Sequence, residues 1–129
     1  MKCLDSDFLI GILRDNPDAV AKAHALDETG KSVTTAVNAF EILNGARISM
    51  KQKNIEEAKK LLAKLDVLSF DETTADKASQ LFQELRKAGT PVGLRDVFTA
   101  AIALENGCTL VTRNIKDFSR IRGLETERW

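Results

Sequence analysis

Histidine and cysteine are scarce in this sequence of 129 residues, and it has no long apolar run. Its one histidine, His24, lies in a segment with the pattern of an amphipathic helix, which disfavours catalysis by a histidine acid or base. Cys3 and Cys108 each sit in or beside a short apolar run, which predicts buried free thiols and no disulfide. No cysteine and histidine spacing indicates zinc. Any catalysis must therefore depend on carboxylates, hydroxyls, lysines or a metal.

An excess of one charge is also missing, since 19 basic residues balance 19 acidic ones. This balance disfavours a non-specific nucleic-acid coat protein, which would be strongly basic. No run approaches the roughly 20 apolar residues of a membrane span, and residues 1–5 lack the apolar core of a signal peptide. We therefore expect a protein without a membrane partner that acts in the cytoplasm. A local basic rim is present, formed by Arg113, Lys116, Arg120 and Arg122.

What is present is the composition of one globular domain, with 43% hydrophobic and 29% charged residues. Predicted strands cover residues 2–5, 32–34, 67–70, 109–112 and 124–126. Predicted helices cover residues 7–14, 17–28, 35–50, 55–65, 72–88 and 94–106, with a helical turn at 115–119. Alternation of short strands with helices predicts a single α/β domain over residues 1–129. Its central sheet is mostly parallel and is covered by helices on both faces.

Polar residues mark several of the predicted helix starts. Asn16 followed by Pro17 is a strong start signal. Asn54 with Glu57 predicts a capping box that opens the helix at residue 55. Asp71 predicts the cap of the helix over residues 72–88.

The acidic residues fall where parallel sheets form binding sites, outside the carboxyl ends of the strands. Asp5 ends the first predicted strand, and Asn114 and Asp117 follow the strand over residues 109–112. Asp96 begins a nearly all-apolar helix, where the helix dipole favours an acid. Glu41 projects from a largely apolar helical stretch, in which a solvated glutamate is not expected.

Carboxylates gathered at one edge repel one another unless a cation neutralises them. Mg²⁺ or Mn²⁺ fits, because both prefer carboxylate and water ligands and both assist phosphodiester hydrolysis. Each acid also has a plainer interpretation that the sequence leaves open. Asp5 and Asp96 also suit helix starts. Asp117 also suits a solvated turn, and Glu41 also suits a helix edge that reaches solvent.

Four segments, taken in order, resemble the motifs of PIN-domain nucleases. They are LDSDFLI at 4–10, TTAVNAFEILNG at 34–45, GTPVGLRD at 89–96 followed by TAAIA at 99–103, and LVTRNIKDF at 110–118. Residues 120–129 are similar to the tail of the same group. The resemblance covers nearly the whole chain, and the small size is most similar to VapC-type toxins of prokaryotic toxin–antitoxin pairs.

The resemblance implies a three-layer α/β/α PIN-like domain with Mg²⁺- or Mn²⁺-dependent endoribonuclease activity on RNA. It implies that Asp5, Glu41 and Asp96 are metal ligands and catalytic residues, with Asp117 or Asn114 completing the site. It also implies a homodimer and a cognate antitoxin protein whose tail blocks the active site.

Further residues near these motifs have two interpretations each. Ser6 either supports a ligand carboxylate or caps a helix, and Thr112 is a second candidate supporting residue. Arg113 and Lys116 either contact the RNA backbone or lie solvated on the surface. Position 7 is Asp where the family often has Asn, so the site carries one more negative charge.

Two other functions are compatible with the sequence. A PIN-fold binding module without catalysis is one, although all four acidic positions are filled. A Mg²⁺-dependent phosphoacceptor signalling domain is the other. That class needs a phosphorylatable Asp that ends a central strand and a Lys that ends a later one. Here Asp71 is a predicted helix cap, and the later strand ends in Thr112 and Arg113.

Overall fold

Five short strands form the centre of the molecule. The computed structural model describes all 129 residues. Its strands are β1 (Lys2–Leu4), β2 (Ser32–Thr35), β3 (Asp66–Leu68), β4 (Thr109–Val111) and β5 (Thr126–Glu127). The strand order is β3-β2-β1-β4-β5, and every neighbouring pair is parallel. Parallel neighbours need long crossover connections, which the helices provide for most of the strands.

Seven helices connect and cover the strands. They are α1 (Ser6–Leu13), α2 (Pro17–Asp27), α3 (Ala36–Ile48), α4 (Gln52–Ala63), α5 (Glu72–Lys87), α6 (Leu94–Glu105) and α7 (Ile115–Phe118). None of the seven has both the length and the apolar character that crossing a membrane requires.

The helices form two layers because neighbouring strand residues point to opposite faces of the sheet. Cys3 and Leu110 belong to a core shared with α5 and α6. The next residues along these strands, Leu4 and Val111, belong to a second core shared with α1, α2 and α3. The predicted α/β/α architecture is therefore confirmed.

Several local predictions agree with the structure. Asn16 caps α2 through bonds to the Asp18 and Ala19 amides, and Asp71 caps α5. Cys3 and Cys108 are buried free thiols. These features depend on neighbouring residues or on simple burial, which a sequence pattern reports directly.

The predicted, mostly parallel sheet is confirmed, and it is wholly parallel because β5 pairs with β4 in the same direction. Other local predictions were wrong. Helix α4 begins at Gln52 and not at residue 55, since the Asn54 side chain bonds to Ser49 Oγ instead of capping. Strand β3 ends at Leu68, and Phe70 turns away to stack on Phe98.

The ends of the remaining strands also differ from the predicted ranges. Asp5 and Thr112 lie just beyond the strands to which they were assigned. Strand β5 covers residues 126–127 and not 124–126, because Leu124 packs against the core instead of pairing.

Gly11 marks the closest packing on α1. A Cβ atom there would lie 2.8 Å from Trp129 Cη2 and 2.9 Å from Ala19 Cβ. Gly11→Ala should therefore lower the free energy of unfolding by about 1–3 kcal/mol. The matched variant Gly45→Ala lies on an exposed face of α3 with nothing within 4 Å. It should raise that free energy by about 0.5–1 kcal/mol. Urea denaturation of both variants measures the difference, and equal effects would contradict the close packing.

Candidate active site

The predicted site residues lie at the carboxyl edge of the sheet. Asp5 directly follows β1, and Thr112 directly follows β4. Glu41 is carried by α3, which begins where β2 ends. Because parallel strands present their carboxyl ends on one side, side chains from distant parts of the chain meet there.

Asp5 is the most enclosed of these acids, with 5% of its surface exposed. Its Oδ1 atom accepts hydrogen bonds from the Ser6 backbone N–H (3.0 Å) and from Asn38 Nδ2 (2.9 Å). Its Oδ2 atom accepts a bond from Thr112 Oγ1 (2.7 Å). Asp5 is thus both the N-cap of α1 and a member of the site, so the two interpretations of this residue are compatible.

Asn38 was not predicted to contribute, although it is fully buried beside Asp5. It is held in turn by Thr35 Oγ1, which donates to Asn38 Oδ1 (2.8 Å) and accepts from the Asn38 backbone N–H (3.0 Å). One signal could have identified it: Asn38 precedes Glu41 by three residues, which places both on the same side of a helix.

Thr112, a predicted supporting residue, lies between two acids. Its hydroxyl lies 2.7 Å from Asp5 Oδ2 and 3.3 Å from Asp7 Oδ2. A hydroxyl has one proton to donate, so the shorter bond to Asp5 takes it. The same oxygen accepts the backbone N–H of Asn114 (3.0 Å).

Glu41 is oriented from two sides and retains 23% side-chain exposure. Ser6 Oγ donates to Glu41 Oε1 at 3.3 Å, and Arg95 Nη1 lies 3.6 Å from Glu41 Oε2. Ser6 therefore contacts a candidate ligand, while the capping role at this helix belongs to Asp5. Arg95 was not predicted, although it directly precedes Asp96.

Asn114 lies between the other two acids. Its Nδ2 atom donates to Asp96 Oδ2 (3.1 Å) and to Asp117 Oδ2 (3.3 Å). Arg120 Nη1 lies 3.5 Å from Asp117 Oδ1. One amide thus fixes the relative orientation of two carboxylates that come from different helices.

The acids influence one another electrostatically across the site. Burial raises the pKa of Asp5 from 3.8 to about 7, and the charges of Asp7 and Asp96 act in the same direction. Burial also raises the pKa of Asp96, with further contributions from the charges of Glu41 and Asp117. The site therefore carries more negative charge than its basic neighbours neutralise.

This donor set fits a hard divalent cation by its chemistry, since carboxylate and amide oxygens are the ligands that Mg²⁺ prefers. The unbalanced charge around Asp5 and Asp96 also favours a cation. With the side chains in their present orientations, no three acidic, histidine or cysteine residues lie close enough together to hold a metal ion. The hydroxyl of Thr112 and the amide of Asn114 lie between carboxylates instead.

The two residues predicted to contact RNA lie at the rim. Lys116 is exposed. The Arg113 guanidinium turns toward Asp18, at 3.1 Å, and stacks 3.7 Å above the Trp129 ring. Contact of Arg113 and Lys116 with RNA stays a prediction.

Comparisons with known proteins test the family resemblance. The family model described as PIN domain matches residues 2–124. A relative from Shigella flexneri, named tRNA(fMet)-specific endonuclease VapC, is 32% identical and is aligned over 98% of this chain and 96% of its own. The solved structure of DNA-bound VapBC from Salmonella typhimurium covers 99% of this chain and 97% of its own, with a TM-score of 0.90 and 28% identity. VapBC2 from Rickettsia felis, bound to a promoter DNA fragment, covers 99% and 98%, with a TM-score of 0.89 and 25% identity. The resemblance inferred from the motifs is therefore confirmed.

The raised pKa of Asp5 predicts a pH-dependent stability in metal-free protein. Between pH 3.8 and about 7 the folded protein holds a proton on Asp5 that the unfolded chain releases. The free energy of unfolding therefore falls as pH rises through this window. Asp5→Asn removes this loss, which for a pKa raised from 3.8 to about 7 is roughly 4 kcal/mol. At pH 8 the variant should therefore be more stable than wild type by about that amount, and the difference should shrink toward pH 4.

Thermal denaturation in chelator between pH 4 and pH 8 measures this effect. Asp76→Asn, at an exposed position of α5, is the matched control and should follow the wild-type profile. Parallel profiles for wild type and Asp5→Asn would show that the carboxyl ionises at its ordinary pKa.

Proposed function

This chain belongs to the PIN-domain family, and on that premise we propose that it is a VapC-type endoribonuclease, the toxin of a toxin–antitoxin pair, that hydrolyses RNA phosphodiesters with the help of Mg²⁺ or Mn²⁺. One observation carries the proposal. At the carboxyl edge of the sheet, Asp5, Glu41, Asp96 and Asp117 are each held by a hydrogen bond from a neutral side chain. Such fixed and under-neutralised carboxylates suit a cation and a phosphate substrate.

In this proposal Asp5, Glu41 and Asp96 hold the cation, and Asp117 or Asn114 completes the set. When bound, the ion supplies positive charge that stabilises the phosphoryl group and lowers the pKa of a water molecule. Neither step requires a histidine, which agrees with the exposed position of His24.

The protein's own contribution is orientation. Asn38 and Thr112 fix both oxygens of Asp5, so this acid cannot rotate freely. The Asn114 amide holds Asp96 and Asp117 side by side, so one can bind the cation while the other accepts a proton from the attacking water. Such pre-organised geometry removes much of the entropic cost of assembling the reacting groups.

We propose transfer RNA as the first substrate to test, because the Shigella flexneri relative is named a tRNA(fMet)-specific endonuclease. Lys116 and Arg113 at the rim would contact the RNA backbone. Binding that depends on them should weaken as salt concentration rises, since phosphate contacts release counterions.

An antitoxin partner is the next part of the proposal, since solved structures similar to this chain are VapBC complexes. A groove between α1, α3 and α4, lined by both apolar and polar residues, suits an amphipathic segment of such a partner. Its lining includes Ile10, Leu13 and Ile42.

We also propose a homodimer that forms through an apolar patch on α5 and α6. The patch consists of Phe70, Phe82, Leu94 and Phe98, and Phe70 and Leu94 are 38% and 53% exposed. The depression that these residues line contains no charged residue. Two copies can therefore face each other there without repulsion between like charges, and a second copy is the occupant that we propose.

Asp96→Asn tests the catalytic part of the proposal. The substitution removes a charge but keeps the shape, so cleavage of tRNA(fMet) with Mg²⁺ or Mn²⁺ should fall by about 10²-fold or more. Excess chelator should abolish wild-type cleavage. Asp76→Asn, far from the site on α5, is the matched control and should retain full activity.

The alternatives give different results in the same gel-based assay. If the wild type is silent across total RNA while folded, a binding module without catalysis becomes the better interpretation. Equal cleavage by wild type and Asp96→Asn would indicate a contaminating nuclease. Stable labelling of the protein by a small phosphodonor would favour the phosphoacceptor domain.

Phe70→Ser tests the dimer surface. Loss of an exposed aromatic ring from each copy should weaken the dimer at least about tenfold, as measured by sedimentation equilibrium. Ile48→Ser is the matched control, because Ile48 is an exposed apolar residue, 73% accessible, that does not line the patch. If only Ile48→Ser dissociates the dimer, the contact lies elsewhere.

A further inference from the structure

Trp129 is the only tryptophan in the chain, and it lies beside the candidate active site. Its ring packs against Phe8, with the ring centroids 5.4 Å apart. The Arg113 guanidinium lies 3.7 Å from the ring centroid, and Arg113 Nε donates to the Trp129 carbonyl oxygen (3.0 Å). The indole is thus held by packing and by a cation–π contact, so its N–H group has a fixed direction.

That N–H group donates to Asp7 Oδ1 at 3.0 Å. The other oxygen of Asp7, Oδ2, accepts the backbone N–H of Arg113 at 2.9 Å. Both oxygens of Asp7 therefore have fixed donors. Asp7 is thus held from two sides, by a side chain and by a backbone N–H group that are distant from it in sequence.

Asp7 holds the segment Thr112–Asn114, whose side chains orient the acids of the site. Its partner Arg113 lies between Thr112 and Asn114. Thr112 donates to Asp5, and Asn114 donates to Asp96 and Asp117. A displacement of this short segment would therefore change the hydrogen bonds to acids on both sides of the site at once.

We propose that Trp129 is a positioning residue for this site: its indole N–H orients Asp7, and Asp7 holds the segment Thr112–Asn114 in the register that aligns the carboxylates. The proposal rests on the endoribonuclease function proposed above. It also accounts for Asp at position 7, because a carboxylate accepts the indole N–H on one oxygen and the Arg113 N–H on the other.

The hydrogen bond itself can be tested without any activity. A chain with one tryptophan gives one indole N–H signal in an ¹H–¹⁵N NMR spectrum of the metal-free protein. Asp7→Ala should move this signal upfield and speed its exchange with solvent at least about tenfold, whereas Asp7→Asn keeps an acceptor and should change it much less. Asp18→Asn removes only the negative charge that pairs with the Arg113 guanidinium and is the matched control. An unchanged signal in Asp7→Ala overturns the proposal.

The effect on catalysis is tested with Trp129→Phe, which keeps an aromatic ring but removes the N–H group. In cleavage of tRNA(fMet), kcat should fall roughly tenfold, with KM changed less than kcat. Arg128→Ala, at the exposed neighbouring position, should retain the wild-type kcat.

A double-mutant cycle shows whether Trp129 acts through Asp7. In an Asp7→Ala background, Trp129→Phe should cost little further activity, because the acceptor of the N–H group is already gone. Additive losses would mean that Trp129 acts only by packing on Phe8, and they would overturn the proposal.

If the wild-type protein cleaves no RNA, this result would contradict the proposed function and not this inference. The Asn114 side-chain amide signals then decide the question. The positioning role requires these signals to move in Trp129→Phe and to stay in place in Arg128→Ala, and unchanged Asn114 signals in Trp129→Phe overturn it.

Discussion

The carboxylate of Asp5 at the end of the central strand is the group on which the rest of the site depends. An ionised carboxylate at such a position costs several kcal/mol to bury unless donors replace its water. Its donors come from three parts of the chain, namely the Ser6 amide of α1, the Asn38 amide group of α3 and the Thr112 hydroxyl after β4. The fold therefore cannot satisfy Asp5 without also assembling the edge at which the other acids lie. The compensation is incomplete, since the pKa of Asp5 stays raised to about 7. Perturbed pKa values of this kind cluster at functional sites.

Each of the four acids accepts a hydrogen bond from an uncharged side chain, which orients its carboxylate. A hydroxyl from Thr112 contacts Asp5, a hydroxyl from Ser6 contacts Glu41, and the Asn114 amide contacts Asp96 and Asp117. Donors of this kind orient a carboxylate without cancelling its charge, whereas a lysine or arginine in the same place would. The arrangement explains why the carboxylates are fixed and yet still repel one another.

Most of the site residues that the sequence predicted have a position that follows from a strand or helix end, whereas Glu41 was identified by its apolar surroundings inside α3. Asp5 and Asn114 follow strands, and Asp96 begins an apolar helix, so local pattern was enough to place them. The contributions that were missed depend on contacts across the chain. Asn38 bonds to a residue 33 positions away, and Trp129 to one 122 positions away. The wrong helix start at Asn54 has a different cause. Its side chain has two partners available, and the tertiary structure selected Ser49 over the capping amide.

Strand β5 shows how a weak element can still serve the site. Two residues of strand cannot be stable alone, and each exposed ion pair contributes only about 0–1 kcal/mol. Glu127, however, pairs with both Lys2 and Lys22 at 2.6 Å, which holds its pKa below the ordinary value, and its carbonyl accepts the Thr112 backbone N–H. These contacts join β5 to the same residue that donates to Asp5. They also fix the position of the chain two residues before Trp129, which makes its own hydrogen bonds to Asp7 and Arg113. Strand β5 has only two residues paired with β4, so its backbone pairing contributes little stability. We therefore interpret it as the element that places the Trp129 indole beside Asp7.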